Sequence, residues 1–443
     1  MKAVVVGGGL AGAVAALDLA ARGAEVTAVR AAPGATALTW GTLDLAGASP
    51  LRRGGLALRD FQSGAVLAPA ARLHAVAAAN PAHPYVTLFR GRGPEDEAKQ
   101  AAAALDAWLA PAGLRVLGSL AQTRWLADAH GALRAADHAF SGAGEGDLEG
   151  ADDVTLVDVP GLPGFEAPSA LRVLAAEMAA VGLAVGSLRV ARLALPDALR
   201  ALAGSPARLA RALEEEAARA AIRDAVAALG GERRLLLFPP VLGLTQAASV
   251  RAWFAAESGA RVAELVGTPT LPLAGFRLDA ALANALERAG VRVAAGRATR
   301  IEADGTRARR VAVEGVEGGA TLACDALVLA TGRFVGGGVV DRRGELVEPL
   351  LGLPLFDLGG RRVDGLAPHR LVRRDYEGEQ PLFAAGVRTD TRLRPLGADG
   401  RPRFANVFAA GDLLGSFDPA RDRTGLGVAL LSGRRAGAEA ASC

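Results

Sequence analysis

Short apolar runs alternate with helical patterns along this chain of 443 residues. The first run, Ala3–Val6, is rich in valine and ends in glycines, which is typical of a buried parallel strand. A helical pattern follows over residues 13–21, Gly23 ends it, and a second strand is predicted over residues 25–29. This order of strand, helix and strand predicts an α/β fold with a parallel sheet.

Two further apolar runs, 326–330 and 406–410, resemble the first two strands in composition. Since buried strands of this kind belong in one parallel sheet, the two ends of the chain are predicted to form one domain that a long insertion interrupts. The predicted boundaries are residues 1–51 and 271–443 for the divided domain and 52–270 for the insertion.

The insertion mixes helical and strand-like stretches, which favours an α+β cap or substrate domain. Its glycine-rich stretch 141–150 is predicted to be a mobile loop. The predicted elements are helices over 94–109, 168–181 and 206–229, the last an exposed amphipathic helix, and strands over 154–159 and 235–238.

Glycines stand at three spaced positions between the first strand and the first helix. In that context the pattern G-x-G-x-x-G predicts a nucleotide phosphate site. Gly7 permits a tight turn, Gly9 lets a phosphate approach the backbone, and Gly12 lets the helix pack closely on the strand. The N–H groups of the first helical turn, which includes Leu10 and Ala11, would hold the phosphate together with the helix dipole.

The second strand ends at Arg30, where dinucleotide-binding proteins usually carry an acidic residue for the ribose hydroxyls. A guanidinium accepts no hydrogen bond, so it cannot replace that acid. Either Arg30 binds an extra phosphate, as in NADP enzymes, or the ligand lacks the adenosine half. The sequence leaves both alternatives open.

The late strands carry features of flavin sites. Thr331 and Gly332 follow one apolar run, as in the return crossing of flavoproteins with two dinucleotide-binding domains. Gly411 and Asp412 follow the other, and in similar flavoproteins such an aspartate accepts a hydrogen bond from a ribityl hydroxyl.

A predicted helix that runs to residue 438 opens at Gly425 and Gly427, and its N-terminus would direct positive charge at the isoalloxazine ring. The chain is therefore predicted to have a Rossmann-like FAD/NAD(P)-binding flavoprotein fold with an inserted α+β cap domain.

Composition narrows the classes of function. The two cysteines, Cys324 and Cys443, are too few for an iron–sulfur cluster or a tetrahedral zinc site, and no metal is expected. The net charge of +3 without a basic stripe argues against a nucleic-acid partner. The apolar stretch 171–190 contains charged residues, so no membrane span is predicted. The expected location is cytoplasmic, or peripheral at the inner membrane through a partner protein.

Several blocks of sequence stand in the order found in one flavoprotein family. They are residues 5–12, 37–45, 238–243, 269–272, 275–278, 329–338, 348–353, 406–412, 415–419 and 425–428. In this order they resemble the B subunit of the anaerobic glycerol-3-phosphate dehydrogenase. The segments Thr39–Leu45, which contains Thr42, and Gly415–Pro419 are the most particular to that family. Thr42 is accordingly added to the expected cofactor contacts.

The resemblance implies a complex that oxidises sn-glycerol 3-phosphate to dihydroxyacetone phosphate and passes the electrons to quinone. It implies a flavoprotein A subunit and an iron–sulfur membrane-anchor subunit as partners. It also implies FMN as the cofactor, with FAD as the alternative; FMN agrees with Arg30 because FMN has no adenosine ribose. The family has a longer glycine run where this chain reads Arg423–Gly427, so contacts in that turn carry over less directly.

Oxidation of the substrate's hydroxyl would need a base, and its phosphate would need cations. His83 and His369 are candidate bases, although a histidine is more often structural. The candidate cations are Arg333, Arg388, Arg392 and Arg394, each more often solvated than catalytic in so arginine-rich a chain. The sequence assigns no catalytic residue. A non-catalytic flavin electron-transfer subunit, another FAD-dependent oxidoreductase of the same fold, and an NADPH-binding protein remain alternative hypotheses.

Overall fold

The computed structural model describes residues 1–47, 67–315, 318–375 and 380–443. The chain divides into two compact units. Unit 1 comprises Met1–Thr36, Asp44–Trp108 and Leu282–Cys443, and unit 2 comprises Ala37–Leu43 and Leu109–Ala281.

The strands in chain order are β1 Lys2–Val6, β2 Glu25–Arg30, β3 Thr42–Leu43, β4 Val116–Gly118, β5 Arg124–Ala127, β6 Leu133–Ala136, β7 His138–Phe140, β8 Asp153–Asp158, β9 Ser187–Arg192, β10 Arg234–Phe238, β11 Arg261–Glu264, β12 Arg292–Ala295, β13 Arg297–Asp304, β14 Arg307–Gly315, β15 Gly318–Ala323, β16 Ala326–Leu329, β17 Val340–Arg342, β18 Glu345–Val347, β19 Leu355–Phe356, β20 Gly386–Val387 and β21 Val407–Ala409.

The α-helices are α1 Leu10–Ala21, α2 Pro69–Ala79, α3 Pro84–Leu88, α4 Pro94–Leu109, α5 Ala167–Val181, α6 Asp197–Arg200, α7 Pro206–Ala212, α8 Glu216–Ala220, α9 Arg223–Ala227, α10 Ala247–Ser258, α11 Leu273–Arg288, α12 Pro419–Asp422 and α13 Gly425–Ala440. None of the helices in the described ranges is both long and apolar enough to cross a membrane.

A five-stranded sheet in the order β12-β2-β1-β16-β21 forms the centre of unit 1. All its neighbouring strands are parallel. Every residue of β1 after Lys2 is buried, which is why the strand is a continuous valine run instead of an alternating pattern. The sheet confirms that strands from the two ends of the chain pair with each other.

Helices α1 and α13 pack against each other through small residues. A Cβ atom at Gly433 would lie 2.6 Å from the carbonyl oxygen of Ala11, and one at Gly437 would lie 2.9 Å from that of Ala15. Glycine therefore lets the two backbones approach closely. Unit 1 also contains the antiparallel sheet β13-β14-β15 and the hairpins β17-β18 and β19-β20.

Unit 2 is built on the parallel sheet β11-β10-β8-β9, with the smaller sheets β3-β7-β4 and β5-β6. A buried ion pair lies at the end of β11, where Glu264 meets Arg277 of α11. Glu264 also accepts a hydrogen bond from the Leu242 N–H at 2.7 Å, and Arg277 donates to the Gly243 carbonyl. Both charges are thus compensated, as burial requires.

The helices predicted over 94–109 and 168–181 are confirmed by α4 and α5. The single exposed helix predicted over 206–229 is wrong, since this stretch forms the three short helices α7, α8 and α9. At the break between α7 and α8, Glu214 accepts hydrogen bonds from the N–H groups of Leu244, Thr245 and Gln246, which compete with continuation of the helix.

The mobile loop predicted over 141–150 is also wrong. Residues 141–144 are buried, and residues 144–146 form a 3₁₀ turn. The Gly142 carbonyl accepts from the Glu264 N–H at 2.8 Å, and Asp147 accepts from the Trp125 N–H at 3.0 Å. The glycines permit a tightly packed turn here instead of a mobile one.

The two units differ in extent from the predicted domains, because residues 67–108 belong to unit 1 and residues 37–43 and 271–281 belong to unit 2. The predicted boundary at residues 51 and 52 lies outside the described residues. The functional division into a flavin domain and a cap domain stays a prediction.

Candidate functional site

The carboxyl ends of the parallel strands in unit 1 meet at one edge of the sheet. Val6 is paired with Val29 and Leu329, and Leu329 is paired with Ala409. The residues that follow these strands therefore leave the sheet at the same edge, which is where ligands bind in open α/β sheets.

The glycine turn closes tightly around the end of β1. Gly7 has φ +138°, and a Cβ atom there would overlap the carbonyl oxygen of Ala330. A Cβ atom at Gly12 would overlap the carbonyl oxygen of Gly7. Only glycine fits these two positions, so the turn brings β1, α1 and the end of β16 together as the sequence pattern predicts.

Thr36 completes this turn and was not identified from the sequence. Its buried Oγ1 accepts a hydrogen bond from the Leu10 N–H at 2.8 Å. The N-cap residue of α1 is Gly9, which has no side chain to cap the helix, so the Thr36 hydroxyl satisfies this donor instead. The sequence contains a signal for this contact, because Thr36 is the first residue after β2 that carries a side-chain hydroxyl.

Arg30 ends β2 beside the glycine turn. It is half-buried, and the stem of its side chain lies against Gly8, since a Cβ atom at Gly8 would come within 2.6 Å of the Arg30 Cγ. A cationic side chain therefore lies along the turn where an acidic residue was expected.

The return crossing after β16 contains a buried hydroxyl. Within the described ranges, Thr331 Oγ1 has no hydrogen-bond partner. A Cβ atom at Gly338 would overlap this oxygen and the Gly332 carbonyl oxygen, so the Gly336–Gly338 run folds back onto the crossing.

Asp412 presents a buried carboxylate oxygen at the end of β21. Its Oδ1 accepts no hydrogen bond from any residue that the structure describes, and the nearest cation, Arg333, lies 3.4 Å away. Burial raises the pKa of the Asp412 carboxyl, Arg333 opposes this shift, and Asp418 adds to it. Gly411, directly before it, donates its N–H to Ser432 Oγ of α13 at 2.8 Å.

Arg333 is not solvated, contrary to the expectation for a single arginine in this sequence. Its side chain is only 3% exposed. The guanidinium donates to the backbone carbonyls of Asp412 at 3.2 Å, Leu414 at 2.9 Å and Phe417 at 3.3 Å, and it stacks on the Phe417 ring. Arg333 therefore fixes the loop that carries Asp412.

The start of α13 packs against α3. A Cβ atom at Gly427 would overlap the Tyr85 hydroxyl, and one at Gly425 would lie 3.1 Å from Pro419 Cβ. Both glycines are thus explained in part by packing within unit 1. Thr42, by contrast, belongs to unit 2, where it pairs with Ala139 in the β3-β7 ladder.

The candidate bases and remaining cations lie in other surroundings. His369 is exposed, Arg392 pairs with Glu439, and Arg394 pairs with Asp390. His83 is buried in unit 1, and both its ring nitrogens lie within hydrogen-bond distance of other groups, namely the Tyr85 N–H and Thr424 Oγ1. These contacts make His83 a poor candidate for a base.

Because His83 is neutral in the folded protein, the folded state is predicted to lose stability in acid. Burial lowers the pKa of His83 from 6.5 to about 3, so between these pH values the unfolded chain binds a proton that the folded chain does not. The free energy of unfolding is therefore expected to fall by about 1.4 kcal/mol for each pH unit below 6.5 until about pH 3.

Urea unfolding of the native chain and of His83→Asn across this range checks the acid sensitivity. The carboxylates contribute alike to both proteins, so the difference between their pH profiles reports His83. Parallel profiles would contradict the prediction.

The fold and the site define a flavoprotein. The profile of the family described as FAD binding domain matches residues 2–428, and the chain belongs to this family. The flavoprotein fold predicted from the sequence is confirmed.

Comparison with individual relatives assigns the chain to a narrower family. The probable B subunit of the anaerobic glycerol-3-phosphate dehydrogenase of Halobacterium salinarum is 32% identical over 99% of this chain and 97% of the relative. The B subunit of the anaerobic glycerol-3-phosphate dehydrogenase of Yersinia pseudotuberculosis is 30% identical over 97% of this chain and 95% of the relative. The chain belongs to this family of B subunits, which confirms the resemblance seen in the sequence.

Among solved structures, the chain is similar to 3-ketosteroid Δ1-dehydrogenase from Sterolibacterium denitrificans. The two share 12% identity over 99% of each chain, with a TM-score of 0.44.

Proposed function

We propose that this chain is the flavoprotein subunit of a glycerol-3-phosphate:quinone oxidoreductase. In this complex sn-glycerol 3-phosphate is oxidised to dihydroxyacetone phosphate and its electrons pass toward quinone. The observation that carries the proposal is the shared sheet edge that brings together the ends of β1, β2, β16 and β21, in a chain related over nearly its full length to B subunits of that dehydrogenase.

The residues at this edge fit a flavin. The phosphate is proposed at the turn from Gly7 through Gly9 to Gly12, where Leu10 and Ala11 begin α1. The Leu10 N–H already donates to Thr36 Oγ1, so the phosphate would lie beside the Thr36 hydroxyl. Asp412 Oδ1 offers a buried acceptor for a ribityl hydroxyl, and within the described residues no hydrogen bond occupies it.

The remaining contacts are proposed along the same edge. Thr331 and Gly332 would line the crossing, Gly411 would shape the turn before Asp412, and the first turn of α13 at Gly425 and Gly427 would face the isoalloxazine ring. A bound flavin would supply a two-electron acceptor. Thr42 is kept as a proposed contact on the family resemblance alone.

The proposed flavin is FMN, with FAD as the alternative. Arg30 supports FMN because it stands where an acid would bind the adenosine ribose, and its stem lies against Gly8. The name of the FAD binding domain family favours the alternative. Heat release of the cofactor from purified protein, followed by chromatography, distinguishes the two. A protein that takes up neither flavin would contradict the proposed function, and uptake of NADPH alone would favour the alternative raised by Arg30.

Electron relay, without substrate oxidation on this chain, is the second candidate function. The observation that favours it is the occupation of both His83 nitrogens, which removes one of the two candidate bases. Anaerobic addition of glycerol 3-phosphate to the isolated flavin-loaded chain separates the two functions. Bleaching of the flavin absorbance would show oxidation on this chain, whereas bleaching only after addition of the A subunit would show relay.

The proposed partners are the flavoprotein A subunit and an iron–sulfur membrane-anchor subunit. With two cysteines this chain cannot supply the four thiolates that a cluster usually needs, so a cluster would have to reside on a partner. We expect co-expressed subunits to purify as a complex, and we expect this chain to reach the membrane fraction only when the third subunit is present. Membrane binding by the chain alone would contradict this proposal.

A further inference from the structure

The turn that carries Asp412 leaves the central sheet of unit 1 at Gly411. Ala410 still makes a ladder bond, because its N–H donates to the Leu329 carbonyl at 2.9 Å. Gly411 then has φ +72°, in the left-handed region, and a Cβ atom there would lie 2.7 Å from Ala11 Cβ. Gly411 is buried, so its N–H must have a hydrogen-bond partner, and it finds this partner outside the ladder.

Ser432 of α13 is that partner. Its Oγ accepts from the Gly411 N–H at 2.8 Å, and its own proton is donated to the Val428 carbonyl one helical turn earlier. The residue is fully buried. A serine that bonds to the carbonyl four residues before it does not stabilise its own helix, so helix formation does not explain this residue. The two bonds tie the turn before Asp412 to the middle of α13.

The backbone of Asp412 is held from both sides. Ser432 binds the N–H of the residue directly before it, and Arg333 donates to the Asp412 carbonyl at 3.2 Å. The Asp412 Oδ1 is buried and accepts no hydrogen bond from any residue that the structure describes. A buried acceptor of this kind is costly unless a partner reaches it. The turn is therefore fixed on both sides of an acceptor that is left for a ligand.

We propose that Ser432 is a positioning residue for the flavin, because by accepting the Gly411 N–H it holds Asp412 where Oδ1 can accept from a ribityl hydroxyl. This inference rests on the proposed function, which assigns Asp412 to the cofactor. Without the Ser432 hydroxyl, the Gly411 N–H is a buried donor that has lost its acceptor. The turn then shifts to find another acceptor, and Asp412 shifts with it.

Ser432→Ala tests this role in the full-length apoprotein, titrated with FMN and separately with FAD. The flavin that binds the wild-type chain more tightly is expected to bind the variant about tenfold more weakly, which equals about 1.4 kcal/mol.

Ser258→Ala is the matched control. Ser258 is buried in unit 2, donates to the Phe254 carbonyl four residues earlier at 2.7 Å, and accepts from the Ala260 N–H at 3.3 Å. It therefore has the same kind of bonds as Ser432 but none to the turn of Asp412. Its replacement should lower the urea midpoint of unfolding without a change in flavin affinity.

A double-mutant cycle with Asp412→Ala separates positioning from a general loss of structure. If Ser432 acts through Asp412, removal of its hydroxyl should change flavin affinity by less than about twofold once the carboxylate is gone. A merely structural role would instead give the same loss of affinity in both backgrounds. Urea unfolding of each apoprotein checks that the variants are folded under the conditions of the titration.

Wild-type affinity in Ser432→Ala, or an undiminished loss in the Asp412→Ala background, would overturn the inference. If Ser432→Ala does not fold, Ser432→Cys carries the comparison, because a thiol fills similar space and accepts hydrogen bonds only weakly. A wild-type chain that binds neither flavin contradicts the proposed function, and the inference with it. A wild-type chain that binds flavin as tightly as Asp412→Ala leaves the flavoprotein function intact and overturns only the roles of Asp412 and Ser432.

Discussion

Replacing Gly12 with valine is expected to leave the chain almost without bound flavin. Even the first carbon of the new side chain would overlap the Gly7 carbonyl oxygen and lie 3.4 Å from Ala330 Cβ, and backbone cannot yield as a side chain can. The glycine turn must then open, which moves the N–H groups of α1 away from the proposed phosphate. We expect flavin affinity to fall about a hundredfold, or about 2.7 kcal/mol, and stability to fall by about 1–3 kcal/mol from overpacking.

Gly204→Val is the matched control for this prediction. Nothing lies within 4 Å of a Cβ atom at Gly204, so the same substitution has open space there. Flavin content after purification and titration of apoprotein with flavin provide the measurements. Wild-type affinity in Gly12→Val would show that the glycine turn does not hold the cofactor.

The second large effect, a loss of stability, is expected when Arg333 is replaced. Arg333→Ala removes the donors to the carbonyls of Asp412, Leu414 and Phe417 and leaves the Asp412 carboxyl without its nearest cation. Because the Asp412 side chain is 33% exposed, the expected loss is at the lower end of the cost of breaking a buried ion pair, about 3 kcal/mol of unfolding free energy. Arg333→Lys should recover little of it, because an ammonium cannot reproduce the planar fork that reaches several carbonyls at once.

Arg300→Ala is the control for the loss of an arginine as such. The Arg300 side chain is 71% exposed and pairs only with the neighbouring Glu302 among the ion pairs of the described ranges, so its removal should change stability by no more than about 0.5 kcal/mol. Urea unfolding with and without flavin compares the two variants. Equal, small effects at both positions would refute the role given to Arg333.

The parts of the site that depend on local sequence were predictable. The valine strand, the glycine turn and α1 follow one another within about 20 residues, so their pattern is contained in one window. The return strands could be predicted because their apolar composition requires a buried parallel sheet. The order of the strands in that sheet needed the structure.

The partners of Arg333 and Thr36 could not be predicted, because their contacts join distant parts of the chain. Arg333 meets carbonyls 79–84 positions away, and Thr36 meets Leu10 26 positions away. The first break in the stretch 206–229 also involves distant residues, since Glu214, between α7 and α8, accepts from N–H groups 30–32 positions later. There, tertiary hydrogen bonds compete with local helix propensity.

The central place of β1 in the sheet affects the synthesis of the protein on the ribosome. Lys2 and its hydrogen-bonded neighbour Asp325, at the start of β16, are separated by 323 positions, and the helix that covers α1 is made later still. At about 5–20 residues per second, the nascent β1 and α1 wait roughly 20–90 s for these neighbours. Their apolar surfaces stay exposed for that time, so we expect dependence on chaperones during synthesis and loading of the cofactor only after α13 has emerged.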